Sequence, residues 1–535
     1  MKTLAIVIDI YANSSIPNKS TRLLAKKPFI LYSIETALNC SNIDEVLVCT
    51  VSEEVKNLIE DFASRVVLVP AQCVKENFLK SEYLDGVIND IEVVIGDKFD
   101  TLVFIDPHTP LLKTDTLKSA MNYYDEAGCE IMVGKSEKLY EDSINIERGL
   151  ENFANDGNSP NYLFSICHRN SLIKKGYERS EIGTFLVNGE ENTFVLNPST
   201  WVMADMLLKK KRIMFRVDGF TALGLGHIYN CITLAYAFME HDILLVLGTV
   251  SVEGIKKVHE SGLKYSVINA EDELDELIED FKPDIFVYDK LNSSSSYIRH
   301  IKNMVSRVIT IEDLGEGTRY SDAVINALYT DYDISGYNIY NGWKYVCLRE
   351  EFQVTKPNKF SDNVNNVMIM FGGTDPSNYN EILYETVKDL SDTYPSIVFN
   401  FVVGLGYDLE ASCLETLEDH NIFVYPNVQR VTKYMKMADI AVTSQGRSIF
   451  EFAAMGIPSI VLPQNARERT HSFAGMDHGF INLGFDDKIE KETIKNTLEW
   501  LIHTKSVRRN MYDLMQSYSL RDGLDRVKRI ILGEV

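Results

Sequence analysis

The sequence predicts an α/β protein with parallel sheets. Its strand-like segments are short, apolar and rich in β-branched residues, and longer helical patterns separate them along the whole chain. Continuous apolar runs are typical of parallel strands buried on both faces, and strand–helix alternation is the pattern of βαβ units. Because 535 residues exceed what one hydrophobic core usually organises, we expect several domains.

The predicted strands follow one another in chain order with helical patterns between them. Those before residue 210 are Leu4–Ile10, Glu45–Thr50, Val66–Val69 and Thr101–Ile105. Those of the middle region are Ile213–Asp218, Ile243–Leu247, Ile285–Tyr288 and Val308–Ile311. Those of the last third are Val367–Phe371, Val398–Val403, Ile440–Thr443 and Ser459–Leu462.

Two breaks in this pattern predict the domain boundaries. The basic run Lys209–Arg212 is typical of a solvated helix end, and the first strand of a second strand–helix series begins directly after it. A polar segment at 355–366, which contains Pro357, precedes the strand at Val367. We therefore predict domains at 1–210, 211–358 and 359–535. In open α/β sheets ligands sit at the carboxyl ends of the strands, so the loops there are the candidate sites.

The charge balance excludes some partners. A formal net charge of −23 argues against binding nucleic acid or an anionic membrane, which reward clustered Lys and Arg. No apolar run reaches the length of a membrane span, and the first residues lead into a strand without the features of a signal peptide. The eight cysteines form no C-x-x-C pair. We expect a cytoplasmic protein with reduced thiols.

A glycine-rich loop after the strand at Ile213 carries the first candidate site. Gly224 and Gly226 let the backbone pass close to a ligand, and the helix predicted from about Ile228 offers free amides to an anion. His227 falls at that helix start, where an imidazole can act as a general base near neutral pH. A histidine that caps the helix for structural reasons explains the motif alone about as well.

Two further strand-to-helix loops combine glycines with hydroxyl residues. The first is Phe371–Asn378, with Gly372, Gly373 and Asp375, and the second is Ser444–Ser448, with Gly446 and Arg447. Such loops hold diphosphates in many α/β proteins, although each one by itself can also be a tight turn. Glu451 lies one helical turn after Ser448, where its carboxylate could accept both hydroxyls of a ribose.

Residues 213–525 resemble the nucleotide-sugar hydrolase of pseudaminic acid biosynthesis and the related spore-coat polysaccharide proteins. The resemblance rests on the order and spacing of five stretches. They are Arg216-Val-Asp218-Gly with Gly224-Leu-Gly226-His227, Gly342 to Phe352, Phe371-Gly372-Gly373-x-Asp375-Pro, Ser444 to Pro458, and Gln464-Asn465 to Ala474.

The resemblance implies a two-Rossmann fold of the glycosyltransferase B type, with a UDP-sugar between the halves. It implies that His227 activates water for direct attack on the anomeric carbon, so that UDP leaves and the sugar inverts. The substrate-binding positions expected on this basis and from the loops are Arg216, Asp218, Gly224, Gly226, Gly372, Gly373, Asp375, Gly446, Arg447, Ser448, Glu451 and Asn465.

The expected chemistry needs one base and an anion hole, because amides and hydroxyls can neutralise a departing diphosphate without protonating it. We therefore expect neither a metal nor another cofactor. Three acidic residues at predicted strand ends, Asp289, Glu312 and Asp313, could line the sugar pocket. Buried ion pairs or helix caps explain these residues equally well.

The first 210 residues resemble CMP-sialic acid synthetases. The likeness runs through Leu4–Ile10, Ser15-Ile16-Pro17-x-Lys19, Lys27–Ile34, Asp44–Thr50 and Asp106–Leu111. The resemblance implies a basic glycine-rich loop for the triphosphate and aspartates for magnesium. Here the loop reads Ile10-Tyr11-Ala12-Asn13-Ser14-Ser15, and the late metal segment reads Phe194–Trp201 without aspartate.

These differences predict that the domain keeps the fold but lacks the activity, because a hard cation binds weakly where carboxylate ligands are missing. Lys19 and Asp106 are either remnants of a weak function or ordinary loop residues. The alternative to a live enzyme is a domain kept for folding, partner docking or a homodimer.

The sequence therefore predicts a UDP-sugar hydrolase that makes a free amino-deoxy sugar for a sialic-acid-like nonulosonate. Three alternatives remain: a glycosyltransferase of the same fold, a bifunctional enzyme with a live cytidylyltransferase domain, and a non-catalytic scaffold that binds a nucleotide sugar.

Overall fold

The computed structural model of the chain describes residues 2–10, 15–60, 65–69, 82–136, 162–170, 182–187, 189–219, 224–290, 292–330, 338–373, 375–484 and 489–534. The chain divides into two compact units, Met1–Lys210 and Lys211–Val535. Among the described residues, no helix is both long enough and apolar enough to cross a bilayer.

The first unit contains a seven-stranded sheet of strand order β5-β4-β1-β6-β8-β7-β9. Strands β1, β4, β5 and β6 are parallel, and β8 runs antiparallel to both of its neighbours. The strands of this unit, with the small β2–β3 pair, are β1 Lys2–Asp9, β2 Leu23–Leu24, β3 Lys27–Pro28, β4 Glu45–Thr50, β5 Arg65–Leu68, β6 Phe99–Ile105, β7 Ile131–Ser136, β8 Phe164–His168 and β9 Ile182–Val187.

Helices cover both faces of this sheet, which is why the inner strand β1 is apolar from Leu4 to Ile8. The described α-helices are α1 Phe29–Leu38, α2 Glu53–Ile59, α3 Glu82–Ile95, α4 Thr114–Ala127 and α5 Pro198–Leu208. Along β1, Leu4, Ile6 and Ile8 pack in one core with α3, while Ala5 and Val7 pack in the opposite core with α1 and α4. Side chains alternate along a strand, so burial on both faces requires a continuous apolar run.

The second unit contains two sheets, each entirely parallel. The first sheet has the order β12-β11-β10-β13-β14-β15-β16. Its strands are β10 Arg212–Val217, β11 Asp242–Gly248, β12 Tyr265–Ile268, β13 Ile285–Asp289, β14 Arg307–Ile311, β15 Ala323–Asn326 and β16 Ile339–Asn341. The helices between them are α6 Gly226–Ala237, α7 Val252–Ser261, α8 Glu273–Phe281 and α9 Ser295–Met304.

The second sheet has the order β19-β18-β17-β20-β21-β22. Its strands are β17 Asn366–Met370, β18 Val398–Val403, β19 Ile422–Pro426, β20 Ile440–Thr443, β21 Ser459–Val461 and β22 Phe480–Asn482. The helices from residue 350 onward are α10 Glu350–Val354, α11 Tyr379–Thr393, α12 Thr432–Met435, α13 Ser448–Met455, α14 Lys491–His503, α15 Lys505–Gln516 and α16 Gly523–Leu532.

The last helix returns to the first half of this unit. Val527, Ile530 and Ile531 of α16 share a hydrophobic core with β10 and α6. Arg307, at the start of β14, donates hydrogen bonds to the carbonyl oxygens of Ile530 (2.7 Å) and Ile531 (2.9 Å). A basic side chain at these last carbonyls satisfies acceptors that the helix itself leaves unpaired.

The predicted fold class is confirmed. The chain is an α/β protein in which a nucleotidyltransferase-like unit precedes a module of two Rossmann-type halves, the glycosyltransferase B arrangement. Among the described residues, the departures from the expected parallel sheets lie in the first unit: β8 pairs antiparallel with β6 and β7, and the small β2–β3 pair is antiparallel too.

Candidate functional site

A cavity in the second unit is lined by residues from both of its halves: strands β17 and β18, helices α6 and α13, and loops that follow strands of the two sheets. Most of the predicted site residues lie on this lining. They are Gly224, Gly226, His227, Gly372, Gly373, Gly446, Arg447, Ser448, Glu451 and Asn465. The structure thus brings together three loops that are far apart in the sequence.

Arg216 and Asp218 are not on the cavity lining. Arg216 is buried and pairs with Asp218 (Nη1–Oδ1 2.9 Å) and Glu271 (Nη2–Oε1 2.6 Å), and Lys290 pairs with Asp218 at 2.9 Å. Asp218 Oδ1 also accepts the backbone N–H of Gly248 at 2.7 Å. These two residues therefore form an ion-pair network that fixes the strand ends, where a substrate contact was expected.

Asp375 also lies off the lining, although the two glycines before it belong to the site. Its carboxylate accepts the backbone N–H groups of Tyr379 (3.1 Å) and Asn380 (2.7 Å) at the start of α11. Burial raises the pKa of Asp375 to about 6. The residue satisfies the free amides of a helix start, which is a structural role.

His227 sits in the first turn of α6 and is held by Asp289, the last residue of β13. The distance between His227 Nδ1 and Asp289 Oδ1 is 2.6 Å. Asp289 is fully buried, whereas the His227 side chain keeps 12% of its surface exposed at the cavity. Because a carboxylate only accepts, Nδ1 carries the proton and Nε2 keeps the lone pair that a general base needs.

Asp289 stays ionised despite its burial. Burial alone would raise the pKa of Asp289, but the charge and hydrogen bond of His227, with Arg447 and Asn230 nearby, outweigh it and hold the pKa below its usual value. Asn230 Nδ2 donates to Asp289 Oδ2 at 2.8 Å, and the Cys231 thiol donates to the same oxygen at 3.4 Å. This carboxylate can therefore orient the imidazole and stabilise it once it has taken up a proton.

Two of the site glycines occupy conformations that other residues rarely adopt. Gly224 has φ +83° just before α6, and Gly372 has φ +80° just after β17. Gly404 lies so close to the turn at Gly372 that a Cβ on Gly404 would lie 2.5 Å from the carbonyl oxygen of Gly372. The backbone itself therefore forms this part of the cavity.

The turn before α13 brings an anion-binding element to the cavity. The helix begins at Ser448, and Gly446 and Ser448 both line the cavity. Two N–H groups of its first turn, those of Ile449 and Phe450, donate to the carbonyl oxygens of Gly446 (3.4 Å) and Arg447 (3.1 Å). A helix start of this kind attracts a phosphate through its N–H groups and its dipole.

Glu451 lines the cavity one turn further along α13, in partnership with Arg349. Arg349 Nε donates to Glu451 Oε1 at 2.8 Å, and Arg349 Nη1 lies 3.1 Å from Glu351 Oε1. Burial raises the pKa of Glu451, and the positive charge of Arg349 opposes that effect. The arginine therefore supports a carboxylate that would otherwise be costly to bury.

Arg447 reaches from this turn to the first half of the module. Its Nη1 donates to Asn230 Oδ1 at 3.1 Å and its Nη2 to Glu312 Oε1 at 3.1 Å. Glu312 Oε1 also accepts the backbone N–H of Ala327 at 3.0 Å. Of the three acids predicted at strand ends, Asp289 and Glu312 thus belong to the site. Asp313 instead accepts Ser293 N (2.9 Å) and Gly315 N (2.7 Å) within a loop.

Sequence reasoning missed Glu468 as a cavity residue. Its Oε2 accepts the backbone N–H groups of Gln464 (2.8 Å) and Gln445 (3.2 Å), and burial raises the pKa of Glu468 to about 7. A carboxyl that is partly protonated at neutral pH adds less negative charge to the cavity than an ionised one would. Only the position of this residue in the Gln464–Ala474 stretch could have drawn attention to it.

In the first unit, Asp9 and Lys19 form hydrogen bonds with other residues of the same unit. Asp9 accepts Ser20 Oγ (2.6 Å) and Thr50 Oγ1 (2.8 Å), and Lys19 Nζ donates to the carbonyl oxygen of Val195 at 3.0 Å. Burial raises the pKa of Asp9, and burial lowers the pKa of Lys19 to about 8. The loop residues 11–14 lie outside the described residues.

Asp106 and the late segment of this unit also have local roles. Asp106 is fully buried and accepts both the backbone N–H of His108 (2.7 Å) and the His108 ring (2.7 Å). Asn197 and Thr200 form a capping box at the start of α5, with Thr200 N donating to Asn197 Oδ1 at 3.0 Å. Across the described ranges, no three His, Cys, Asp or Glu side chains are grouped to hold a metal ion.

Comparisons with known proteins match both parts of the chain. Residues 11–148 match the family model described as cytidylyltransferase, and residues 367–478 match that of the glycosyltransferase family 28 C-terminal domain. The chain thus joins an N-terminal cytidylyltransferase domain to a C-terminal glycosyltransferase family 28 domain, and the fusion predicted from the motifs is confirmed.

Individual relatives match less than two thirds of this chain. The spore coat polysaccharide biosynthesis protein SpsG of Bacillus subtilis is 24% identical over 325 residues, which are 58% of this chain and 90% of that protein. The pseudaminic acid cytidylyltransferase of Campylobacter jejuni (serotype O:2) is 26% identical over 211 residues, 38% of this chain and 86% of that protein. An uncharacterised protein of Methanocaldococcus jannaschii is 30% identical over 280 residues, 48% of this chain. The chain spans 57% of the length of that relative.

Proposed function

We propose that residues 211–535 hydrolyse a UDP-sugar to UDP and a free amino-deoxy sugar. The observation that carries this proposal is the His227–Asp289 pair on the wall of the cavity that also holds the Gly446–Ser448 turn. A base that is already oriented and an anion-binding helix start are the two parts that direct displacement of a diphosphate needs.

In the proposed mechanism, water attacks the anomeric carbon while His227 Nε2 takes its proton. The new C–O bond forms as the bond to the diphosphate oxygen breaks, and UDP leaves with that electron pair, so the configuration inverts. Asp289 stabilises the imidazolium that results. The amides at the start of α13 and the Ser448 hydroxyl receive the charge that develops on the leaving group.

The names of the relatives support a role in building surface sugars. One relative of this module is a spore coat polysaccharide biosynthesis protein, and one relative of the first unit is a pseudaminic acid cytidylyltransferase. A chain that joins the two kinds of domain fits the synthesis of a sialic-acid-like nonulosonate, the pseudaminic acid type. The free amino-deoxy sugar would be its precursor.

A glycosyltransferase is the second candidate, favoured by the match to the glycosyltransferase family 28 C-terminal domain. In that reaction the same base, His227, would take its proton from an acceptor hydroxyl in place of water.

The test is to incubate the full-length protein with a panel of UDP-sugars without any acceptor and to measure UDP and free sugar. Catalytic release of both in equal amounts supports the hydrolase. Release of UDP only after an acceptor is added, with the sugar transferred to that acceptor, supports the glycosyltransferase. Tight UDP binding without turnover under either condition contradicts both and leaves a nucleotide-sugar-binding scaffold.

Glu451→Ala is expected to weaken UDP binding by about 1–3 kcal/mol, because it removes a buried hydrogen-bonded carboxylate from the cavity. Isothermal titration calorimetry with UDP measures the change. Glu351→Gln is the matched control, since Glu351 pairs with the same arginine but does not line the cavity. Equal affinity in Glu451→Ala and wild type would remove Glu451 from the nucleotide site.

The first unit is expected not to make CMP-sugars. Nucleotidyl transfer gathers several negative charges that cations or a metal must neutralise. In this unit Lys19 is turned to a backbone carbonyl, and the segment around Asn197 serves as a helix cap. We propose that the unit serves folding, docking or a homodimer.

To check this, the full-length protein is mixed with CTP, magnesium and several nonulosonic acids, and pyrophosphate is followed. The Campylobacter jejuni pseudaminic acid cytidylyltransferase, assayed in parallel, shows that the assay works. Pyrophosphate release that continues over many turnovers and depends on the sugar acid would make the chain bifunctional.

A further inference from the structure

We infer that Arg447 is a positioning residue that ties the helix carrying His227 to the nucleotide-binding turn, so that the second half of the module sets the placement of the base. This role rests on the function proposed above. It differs from the diphosphate contact that the sequence suggested for the same arginine.

The contacts of Arg447 form a continuous chain to the base. Arg447 lies between Gly446 and Ser448, and all three residues of this turn line the cavity. Its Nη1 donates to Asn230 Oδ1 (3.1 Å), Asn230 Nδ2 donates to Asp289 Oδ2 (2.8 Å), and Asp289 Oδ1 accepts from His227 Nδ1 (2.6 Å). Asn230 thus uses both ends of its amide, one toward each half of the module.

Arg447 contacts one face of helix α6, and the spacing of the residues that it meets identifies this face. Gly226 and Asn230 are four residues apart and therefore lie on the same face of α6. A Cβ on Gly226 would stand 3.8 Å from Arg447 Cδ, so the aliphatic part of the arginine runs beside the first residue of the helix. His227 lies on the turn between these two contacts.

Glu312 anchors the guanidinium on its other side. Its side chain is 1% exposed, and Oε1 accepts both Arg447 Nη2 (3.1 Å) and the backbone N–H of Ala327 (3.0 Å). Both terminal nitrogens of Arg447 are therefore already engaged with the first half. A planar guanidinium held at two points by hydrogen bonds is a rigid spacer between elements.

Placement matters here because the two reacting parts are carried by different halves. The base lies on helix α6 of the first half, whereas the proposed nucleotide site is the Gly446–Ser448 turn of the second half. A misplacement of about 1 Å in such an arrangement can cost roughly 10²-fold in rate without changing how the ligand binds. Arg447 is thus expected to act on kcat more than on UDP affinity.

The central variant is Arg447→Met in the full-length protein. We expect kcat for UDP-sugar hydrolysis to fall at least tenfold while the UDP dissociation constant from calorimetry changes less than about threefold. Asn230→Ala should also lower kcat. The double variant should lose less than the sum of the two single losses, because both changes remove the same Arg447–Asn230 hydrogen bond, although each also removes one other contact. Equal losses in kcat and UDP affinity, or additive losses in the double variant, would overturn the inference.

A second variant distinguishes the loss of positioning from the effect of leaving the buried Glu312 carboxylate without a cation. Arg447→Met alone leaves Glu312 without its cation, which is itself destabilising. Arg447→Met combined with Glu312→Gln removes both charges. We expect thermal stability to recover and kcat to stay low, since the contact to Asn230 is still missing. Full recovery of kcat would show that the charge, and not the tie to Asn230, was responsible.

Hydrogen–deuterium exchange of the unliganded protein tests the tie without any turnover. Amides of Gly226–Ala237 should exchange faster in Arg447→Met than in wild type, and those of Val252–Ser261 should not change. If no UDP-sugar is hydrolysed by either protein, the proposed function fails while this comparison still decides the inference. Unchanged exchange in the α6 segment would overturn it.

Discussion

His227→Ala is expected to lower UDP-sugar turnover by on the order of 10²–10⁴, the usual contribution of a positioned general base. Its Nδ1 is already held by Asp289 at 2.6 Å, so the wild-type ring needs no reorganisation before it accepts a proton. UDP binding should persist, because the Gly446–Ser448 turn and Glu451 are left intact. Steady-state kinetics and UDP calorimetry on the same preparation measure the two effects.

His300→Ala is the matched control for this experiment. His300 is an exposed histidine of α9 that pairs with Asp275 and does not line the cavity. Its removal should leave both measurements near wild type. If His227→Ala hydrolyses the sugar as fast as wild type, the assigned mechanism is wrong.

Asp289→Asn is expected to lower turnover by a similar factor, on the order of 10²–10⁴, although it changes the shape of the side chain very little. An amide can donate to His227 Nδ1 where the carboxylate can only accept. The proton then moves to Nε2, and the lone pair needed to accept a proton from water is lost. The loss of negative charge also removes the stabilisation of the imidazolium.

Rate measurements on three variants check this explanation. The double variant His227→Ala/Asp289→Asn should be no slower than His227→Ala alone, because the carboxylate acts only through the ring. Asp313→Asn, which changes the acid that accepts Ser293 N and Gly315 N away from the cavity, should leave turnover near wild type. A fully active Asp289→Asn protein would show that Asp289 does not orient the base.

The sequence by itself determined the twelve strands predicted above, whereas strands such as β8, β15 and β22 were found only in the structure. Buried parallel strands must be apolar on both faces, so their positions are visible as continuous runs such as Leu4–Ile8. The turns at Gly224 and Gly372 could also be predicted from local sequence, because the backbone at each has a positive φ, which glycine adopts readily. Loops of this type lie at the carboxyl ends of strands wherever the sheet is parallel. The candidate cavity could therefore be predicted without coordinates.

Only the tertiary structure decided which side chains act together. Asp289, Glu312 and Asp313 all follow a predicted strand directly or by one residue and look equivalent in the sequence. The strand order places β13 beside β10, with Asp289 opposite Val217, and this brings one of the three acids to the start of α6.

The same distinction separates the predicted binding residues. Arg216 lies near the end of β10 and Asp375 lies in the loop after β17, close to the residues of the site. Yet Arg216 belongs to a buried ion-pair network, and Asp375 caps α11. Arg447 crosses to Asn230 and Glu312 on the other sheet. Local sequence specifies backbone conformation, but the partner of a charged side chain depends on which elements pack beside it, and that is a property of the folded chain.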